Sequence, residues 1–201
     1  MANVDRPNGL VPVKMLSGAP WNGQFNTYVV DVDDNTALFI GDPVKQVNTG
    51  SDSAAESVYG RDTEGMMHVV QGTAGAQILG VIVGFSPNQD NLMQRHRPID
   101  QTRLVYVVDD PNVVFEIQEV SGGTALTAAD VGLNASIVVG SGNTTTGLSG
   151  VELNNATEHT NVLELRILGL SPRPDNAIGE HAKWLVSINM HQLNSVGTAG
   201  V

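Results

Sequence analysis

Short apolar runs separated by turn-forming residues recur along the whole chain. The runs are rich in Val and Ile and are bounded by Gly, Pro, Asn and Asp, a pattern typical of β-strands joined by tight turns. The predicted strands are residues 27–32, 36–40, 44–47, 77–85, 104–108, 113–120, 137–139, 162–170 and 183–189. Helical periodicity is scarce, and one short helix is predicted at 127–131, where Thr127 can cap the first turn and Asp130 lies three residues on.

Two of these strands have the pattern of a hairpin. Residues 104–108 and 113–120 flank Asp-Asp-Pro-Asn at 109–112, a sequence rich in turn-forming residues. The second strand alternates apolar and polar side chains, with Phe115 and Glu116 on opposite faces, so we expect one of its faces to be buried.

Glycine and proline mark irregular points in the pattern. Gly80 and Gly84 predict a bulge or a close backbone approach within their strand. Pro43 predicts an edge position or a bend, because it cannot donate to a neighbouring strand. The Thr-, Ser- and Gly-rich residues 140–150 predict a flexible or exposed loop.

The first residues of the chain differ from the rest. Residues 1–27 are dense in Pro and Gly, so we expect few regular backbone hydrogen bonds there and interpret them as an extended N-terminal arm. Trp21 and Tyr28 are candidate anchors, because aromatic side chains bury a large area at low entropic cost. Alternatively, Trp21 fills the core of its own fold. The remainder, 28–201, predicts a single all-β domain, a sandwich or small β-barrel with one short helix.

The amino-acid composition agrees with this fold and limits the kinds of binding partner that we expect. The chain has 22 Gly and 9 Pro, and its 41% hydrophobic content is too high for a disordered protein. A net charge of -11 repels phosphate backbones, so nucleic acid is not an expected partner. Cysteine is absent, which excludes disulfides and thiolate metal sites. No run approaches the ~18 apolar residues of a membrane helix, so no membrane partner is expected either.

No residue pattern predicts catalysis. Ser149 lies in Gly-Leu-Ser-Gly, which lacks the Gly-x-Ser-x-Gly elbow of a hydrolase. Glu116 and Glu119 lie on opposite faces of one strand and cannot converge on one bond. The five histidines lack the spacing of a metal-binding pair: His68, His96, His159, His181 and His191. We therefore predict that the chain is not an enzyme and has no catalytic residues, cofactor or metal.

One acidic stretch partly matches a calcium-binding loop. Asp31, Asp33, Asn35 and Asp42 fall at positions one, three, five and twelve of the template. However, Thr36 stands where the sharp turn requires glycine, an Asp replaces the bidentate Glu, and the flanking segments are predicted strands. A solvated acidic turn is the better interpretation.

A basic segment interrupts the acidic chain. Arg95, Arg97 and Arg103 lie in or just after the polar residues 86–101. One interpretation is a solvated loop with scattered charges. The other is a contact loop in which the guanidinium groups of Arg95 and Arg97 bind carboxylates on a partner.

Several segments resemble those of a known protein family. They are Arg-Pro-Asn-Gly-Leu-Val-Pro-Val at 6–13 with Leu-Ser-Gly-Ala-Pro-Trp-Asn-Gly at 16–23, then 37–44 with 78–85, 105–111 with 114–118, 145–151 and 173–176. On these segments the chain resembles the head decoration, or cement, proteins of tailed bacteriophages. The likeness spans nearly the whole chain, and its motifs are turns and strands rather than chemical signatures.

The resemblance implies a structural protein that binds the outer surface of an icosahedral capsid and stabilises it. The implied partners are the major capsid protein and further copies of the chain, as a homodimer or homotrimer. The implied location is the capsid exterior, after synthesis in the host bacterial cytoplasm. In this setting we expect the arm to be disordered in the free protein and ordered on the capsid. The candidate contact residues are Pro7, Leu10, Pro12, Trp21, Tyr28, Arg95 and Arg97.

Two alternative functions stay open. A tail or head–tail structural component would share the virion but occupy another place in it. A carbohydrate-binding β-sandwich module would need exposed aromatic platforms, and only 4% of the residues are aromatic.

Overall fold

The computed structural model describes residues 3–47, 57–58, 61–63, 65–194, 197 and 200. Within this part of the chain the strands are β1 (Val11–Met15), β2 (Asn26–Val30), β3 (Pro43–Gln46), β4 (Ser57–Val58), β5 (Arg61–Asp62), β6 (Val69–Gln71), β7 (Gly80–Phe85), β8 (Arg103–Val108), β9 (Val113–Gln118), β10 (Asn134–Ala135), β11 (Ile137–Val138), β12 (Glu152–Leu153), β13 (Leu165–Leu170) and β14 (Lys183–Ile188). A 3-10 helix covers Ala128–Asp130.

Two five-stranded antiparallel sheets pack together. Sheet A has the strand order β1-β9-β14-β13-β10, and sheet B has the order β2-β8-β7-β3-β6. Two-stranded ribbons, β11-β12 and β4-β5, complete the pairing among the described residues. The prediction of an all-β fold is confirmed in its sandwich form, and the described strands do not close into a barrel.

The main core lies between the two sheets. Phe115 of β9 and Trp184 of β14 project from sheet A and are fully buried. They belong to one apolar cluster with Ile78 and with Val81 and Val108 of sheet B. Each such side chain contributes about 1.5–3 kcal/mol relative to an exposed one, so this cluster holds the sheets together.

Sheet B buries its other face as well. Ile82, Val105 and Val107 form a second cluster, which the segment around Leu38 covers. Gly80 allows the close approach of β7 and β8, since a Cβ atom there would lie 2.3 Å from the Val108 carbonyl oxygen. The register of these strands shifts between Ile82 and Gly84. The predictions of a bulge and of a close approach are therefore confirmed.

The predicted hairpin of 104–108 with 113–120 is wrong. β8 belongs to sheet B and β9 to sheet A, so residues 109–112 form a corner at which the chain crosses from one sheet to the other. The expected one-sided burial of β9 is wrong too, because all six of its residues are buried. Its polar face lies beneath the segment before β14, where Glu116 accepts hydrogen bonds from Ser171 and from Arg173.

Part of the N-terminal segment lies on its own fold. β1 is an edge strand of sheet A and pairs with β9, with a register shift between Pro12 and Lys14. The chain then folds back, and the Trp21 amide donates to the Val13 carbonyl at 3.2 Å. Leu10, just before β1, is buried in the main core.

Three local predictions have different outcomes. The short helix is confirmed, with Thr127 and Asp130 forming a reciprocal capping box. Residues 36–40 form isolated bridges rather than a strand. Residues 140–150 are not an exposed loop throughout, because Ser149 is buried and Leu148 bridges to Ile40.

Among the described residues, no helix combines the length and apolar character needed to cross a membrane.

Candidate interaction surface

The loop of residues 86–101, between β7 and β8, is closed at its base by Arg103. The Arg103 guanidinium donates to the carbonyl oxygens of Ser86 at 2.8 and 3.0 Å and of His96 at 2.6 Å. It also donates to the carbonyl of Gln94 at 3.2 Å. One buried side chain thus ties the start of the loop to its later half, which fixes the loop's shape.

Arg97 fastens the same loop to the neighbouring acidic turn. It is fully buried and donates to the carbonyl oxygens of Gln101 at 2.7 Å, Asp34 at 2.6 Å and Thr36 at 2.9 Å, and to that of Asp31. Burial lowers the pKa of Arg97, and the nearby carboxylates oppose that shift. Arg97 therefore holds the fold together, and the prediction that it binds a partner's carboxylates is wrong because no partner can reach it.

The segment 95–97 is wedged between two other parts of the chain. Arg97 and Leu38 exchange backbone hydrogen bonds of 2.8 and 2.9 Å. A Cβ atom at Gly147 would lie 2.5 Å from the Cβ of Arg95, so this glycine permits the contact. The His96 ring stacks on Phe39 with centroids 5.1 Å apart. Burial, with the charge of Arg103, lowers the pKa of His96 and so favours its neutral ring.

The tip of the loop carries apolar side chains into solvent. Leu92 and Met93 are 78% and 77% exposed, the highest values among the large apolar side chains described. Asn91 shapes this turn, because its Oδ1 accepts from the Met93 amide at 3.2 Å. Ile99 is half exposed and Arg95 is exposed at the same loop. We call Leu92, Met93, Arg95 and Ile99 the loop patch.

Adjacent, strongly exposed apolar side chains on a firmly held loop are a feature of binding surfaces. The sequence predicted the arginines of this loop as contact residues, and that prediction did not include Leu92 and Met93. The available signal was a pair of adjacent large apolar residues in the middle of a mostly polar segment.

The other predicted contact residues are divided between core and surface. Leu10 and Tyr28 are buried, so both stabilise the fold and are wrongly assigned to a partner contact. The Tyr28 hydroxyl donates to Asp109, and burial together with that carboxylate raises the pKa of Tyr28. Pro7 and Pro12 are partly buried.

Trp21 lies between the main core and the surface. It packs partly against the core cluster, and its indole also lines a cavity of about 400 Å³ at the corner where the chain crosses between sheets. Its Nε1 donates to the Gln24 carbonyl at 3.3 Å. The two interpretations of Trp21, anchor and core residue, therefore each describe part of its environment.

The residues of the calcium-loop match do not converge. Asp42 is buried and accepts from the Phe39 amide at 2.8 Å and from the Ser149 hydroxyl. Asp31 instead approaches His68, with 3.6 Å between Oδ2 and Nδ1. Burial raises the pKa of Asp42 to about 6, which is unfavourable for a cation ligand.

A different group of potential metal ligands occurs on the outer face of sheet A. Within the described residues, Asp5, Glu152 and His181 place one ligand atom each within 4.8 Å of one another. The Gln118 amide already donates to the carboxylates of Asp5 and Glu152, at 2.9 Å each. The Gln118 amide thus bridges the two carboxylates, so their closeness does not by itself require a metal ion.

A scan against protein-family models, a search of curated proteins and a search of solved structures each found no match.

Proposed function

We propose that this chain is a decoration protein that binds the outer surface of an icosahedral phage capsid and stabilises it. The observation that carries the proposal is the loop patch, which presents Leu92 and Met93 to solvent from a loop fastened by two buried arginines. A binding surface that is already ordered loses little conformational entropy when it docks. The sequence resemblance described above points to the same role.

The all-β sandwich suits a structural part of a virion. Ser149, the residue closest to a hydrolase motif, donates its hydroxyl to buried Asp42 rather than to a histidine. Glu116 and Glu119 lie on opposite sides of β9, one beneath the surface segment with Ser171 and the other beside Trp184 in the core. At Ser149, Glu116 and Glu119, the residues weighed as catalytic candidates in the sequence, these contacts favour a binding protein over an enzyme.

Many copies of one weak contact are sufficient for this role. A capsid repeats its binding site over the whole shell, so an oligomeric decoration protein gains affinity by engaging several sites at once. We propose the major capsid protein as the partner and a homodimer or homotrimer as the binding unit.

The test is co-sedimentation with expanded capsids that lack the protein. We expect saturable, stoichiometric binding and a higher rupture temperature of the decorated capsids. The double variant L92S/M93S should bind at least tenfold more weakly, because each buried side chain contributes about 1.5–3 kcal/mol. The matched control is V131S/I178S, which removes two exposed apolar side chains elsewhere on the surface.

Either of two results contradicts the proposal. Failure of the wild-type chain to bind capsids removes the decoration role. Equal binding by the wild type and L92S/M93S removes the loop patch as the contact surface. Labelled protein seen by electron microscopy on tails rather than on heads would favour the tail-component alternative.

A further inference from the structure

The cavity lined by Trp21 combines aromatic rings with carboxylates. It lies where β8 ends and the chain crosses to sheet A, so Asp109 and Asp110 line it together with Phe25 and Asn26. Phe25 is 48% exposed, and its ring packs on Tyr106 with centroids 4.7 Å apart. The cavity therefore has apolar ring surfaces and acidic groups around one volume of about 400 Å³.

The carboxylate of Asp109 is held in place by neutral donors. Asn26 Nδ2 donates to its two oxygens at 3.0 and 2.9 Å, and the Tyr28 hydroxyl donates as well. Asp110 Oδ1 accepts from the backbone amide of Asn112 at 2.8 Å and from the side-chain amide of Asn112 at 3.0 Å. Each carboxylate oxygen has more than one acceptor position, so both groups can accept further hydrogen bonds from a ligand.

The negative charge at this cavity is not neutralised by a basic side chain. No Lys, Arg or His is among the described residues that line it, and none of the ion pairs found in the described part of the chain includes Asp109 or Asp110. His191 is close enough to feel both charges, but it is buried, and burial lowers its pKa.

The groups that line the cavity determine which kind of ligand it can bind. It offers two carboxylates and ring faces; of its donors, Asn26 Nδ2 and Trp21 Nε1 are already occupied, and the Gln24 side chain adds one amide that can donate or accept. A sugar brings both donors and acceptors, whereas a guanidinium or ammonium group brings donors only. Cations also bind favourably over Trp and Phe rings.

We propose that this cavity binds the cationic head of an arginine or lysine side chain that a protein partner presents. The carboxylates of Asp109 and Asp110 accept its hydrogen bonds, and Trp21 and Phe25 contact its flat or alkyl surface. The cavity is thus a second proposed contact surface, in addition to the loop patch. The attribution of this contact to the major capsid protein rests on the proposed function, whereas the chemistry of the cavity does not.

The first experiment uses the full-length chain and a short acetylated, amidated Gly-Arg-Gly peptide. The matched probe is the same peptide with citrulline, which replaces the guanidinium with a neutral urea group of the same shape. Binding is followed by tryptophan fluorescence and by calorimetry. Of the two tryptophans, Trp184 is fully buried, so a fluorescence change reports on Trp21.

We expect the arginine peptide to bind at least tenfold more tightly than the citrulline peptide, and added salt to weaken its binding. Asp110→Asn should weaken binding about tenfold, because hydrogen bonds to charged groups are worth about twice those to neutral ones. Asp33→Asn removes the same charge from an exposed position elsewhere and should bind as the wild type does. Equal binding of the two peptides, or equal effects of the two variants, overturns the proposal.

A second experiment tests the attribution to the capsid. Co-sedimentation of Asp110→Asn with capsids should fall relative to Asp33→Asn if the capsid protein supplies the cationic side chain. Unchanged co-sedimentation overturns that attribution, while the peptide results still decide whether the cavity binds a cation.

Discussion

Buried polar residues determine much of the local shape of this protein. Arg97 and Arg103 both direct their guanidinium groups at backbone carbonyls of loops rather than at carboxylates. A planar group with five donors can satisfy several carbonyl oxygens that no strand partner reaches. The loops beside sheet B are therefore ordered by these side chains together with the isolated backbone bridge between Leu38 and Arg97.

Arg97→Lys should lower the free energy of unfolding by about 2–4 kcal/mol. Lysine has a single ammonium group, so it cannot replace a fork that reaches the carbonyls of Asp31, Asp34 and Thr36, and buried carbonyls without partners are costly. Urea denaturation followed by circular dichroism measures the change. Arg95→Lys, at an exposed position, should change stability by less than about 0.5 kcal/mol. Similar losses for both variants would contradict this role of Arg97.

Glu119 makes stability depend on pH. It is fully buried, accepts from Trp184 Nε1 at 2.7 Å, and burial raises its pKa from 4.5 to about 7. The folded protein therefore holds this proton at pH values where the unfolded chain has released it. The resulting stabilisation is complete below about pH 4.5 and is lost as the pH rises through 7.

Glu119→Gln should remove that dependence. Between pH 5 and 8, the wild type should lose on the order of 2–3 kcal/mol of unfolding free energy relative to the variant. Buried His191 has a lowered pKa and acts in the opposite direction, but it is present in both proteins and cancels in the difference. Denaturation curves at several pH values test this, and a constant difference between the proteins would disprove it.

At the scale of elements, the segment before β1 is fixed by a close backbone contact. Gly9 has φ +67°, and a Cβ atom there would lie 2.3 Å from the Gly41 carbonyl oxygen. That oxygen accepts from the Leu10 amide at 2.9 Å. Only glycine fits this contact, which positions Leu10 in the core and β1 at the edge of sheet A.

Gly9→Ala should therefore destabilise the protein by more than about 2 kcal/mol, through both backbone strain and the steric clash. Gly18 is a matched control, because its φ is also positive, at +91°, but its Cβ position is open. Gly18→Ala should cost only the strain, about 1 kcal/mol. Thermal unfolding of the two variants compares them, and equal losses would show that the Gly41 contact does not matter.

The sequence predicted the positions of the strands and the helix better than it predicted which strands pair with each other. Apolar runs bounded by turn-forming residues located β7, β13 and β14, and the capping residues located the helix, because these signals are local. Asp-Asp-Pro-Asn at 109–112 indicates a turn, but local residues do not specify which sheet the next strand joins. Nor did the sequence indicate that Arg97 is buried, since arginine is usually exposed and three of the four carbonyls that it reaches are distant in sequence.

At the scale of the molecule, one core joins the two sheets. Val81 and Val108 of sheet B share a cluster with Phe115 and Trp184 of sheet A, so neither sheet can be removed without exposing the other. We expect a single cooperative unfolding transition, with the tryptophan fluorescence and the far-ultraviolet dichroism changing together. Two separate transitions would contradict a shared core.

The strand orders have a consequence for synthesis on the ribosome. All five strands of sheet B lie within residues 26–108. In sheet A, by contrast, β9 pairs with β1, near the beginning of the chain, and with β14, near its end. Sheet B can therefore assemble while the second half of the chain is still being translated. β1 has no partner in sheet A until β9 emerges, and β14 must arrive before the sheet is continuous. Between the completion of sheet B at β8 and the arrival of β14, the nascent protein thus exposes one face of sheet B, and this interval is when it is most open to aggregation or to pairing with another copy.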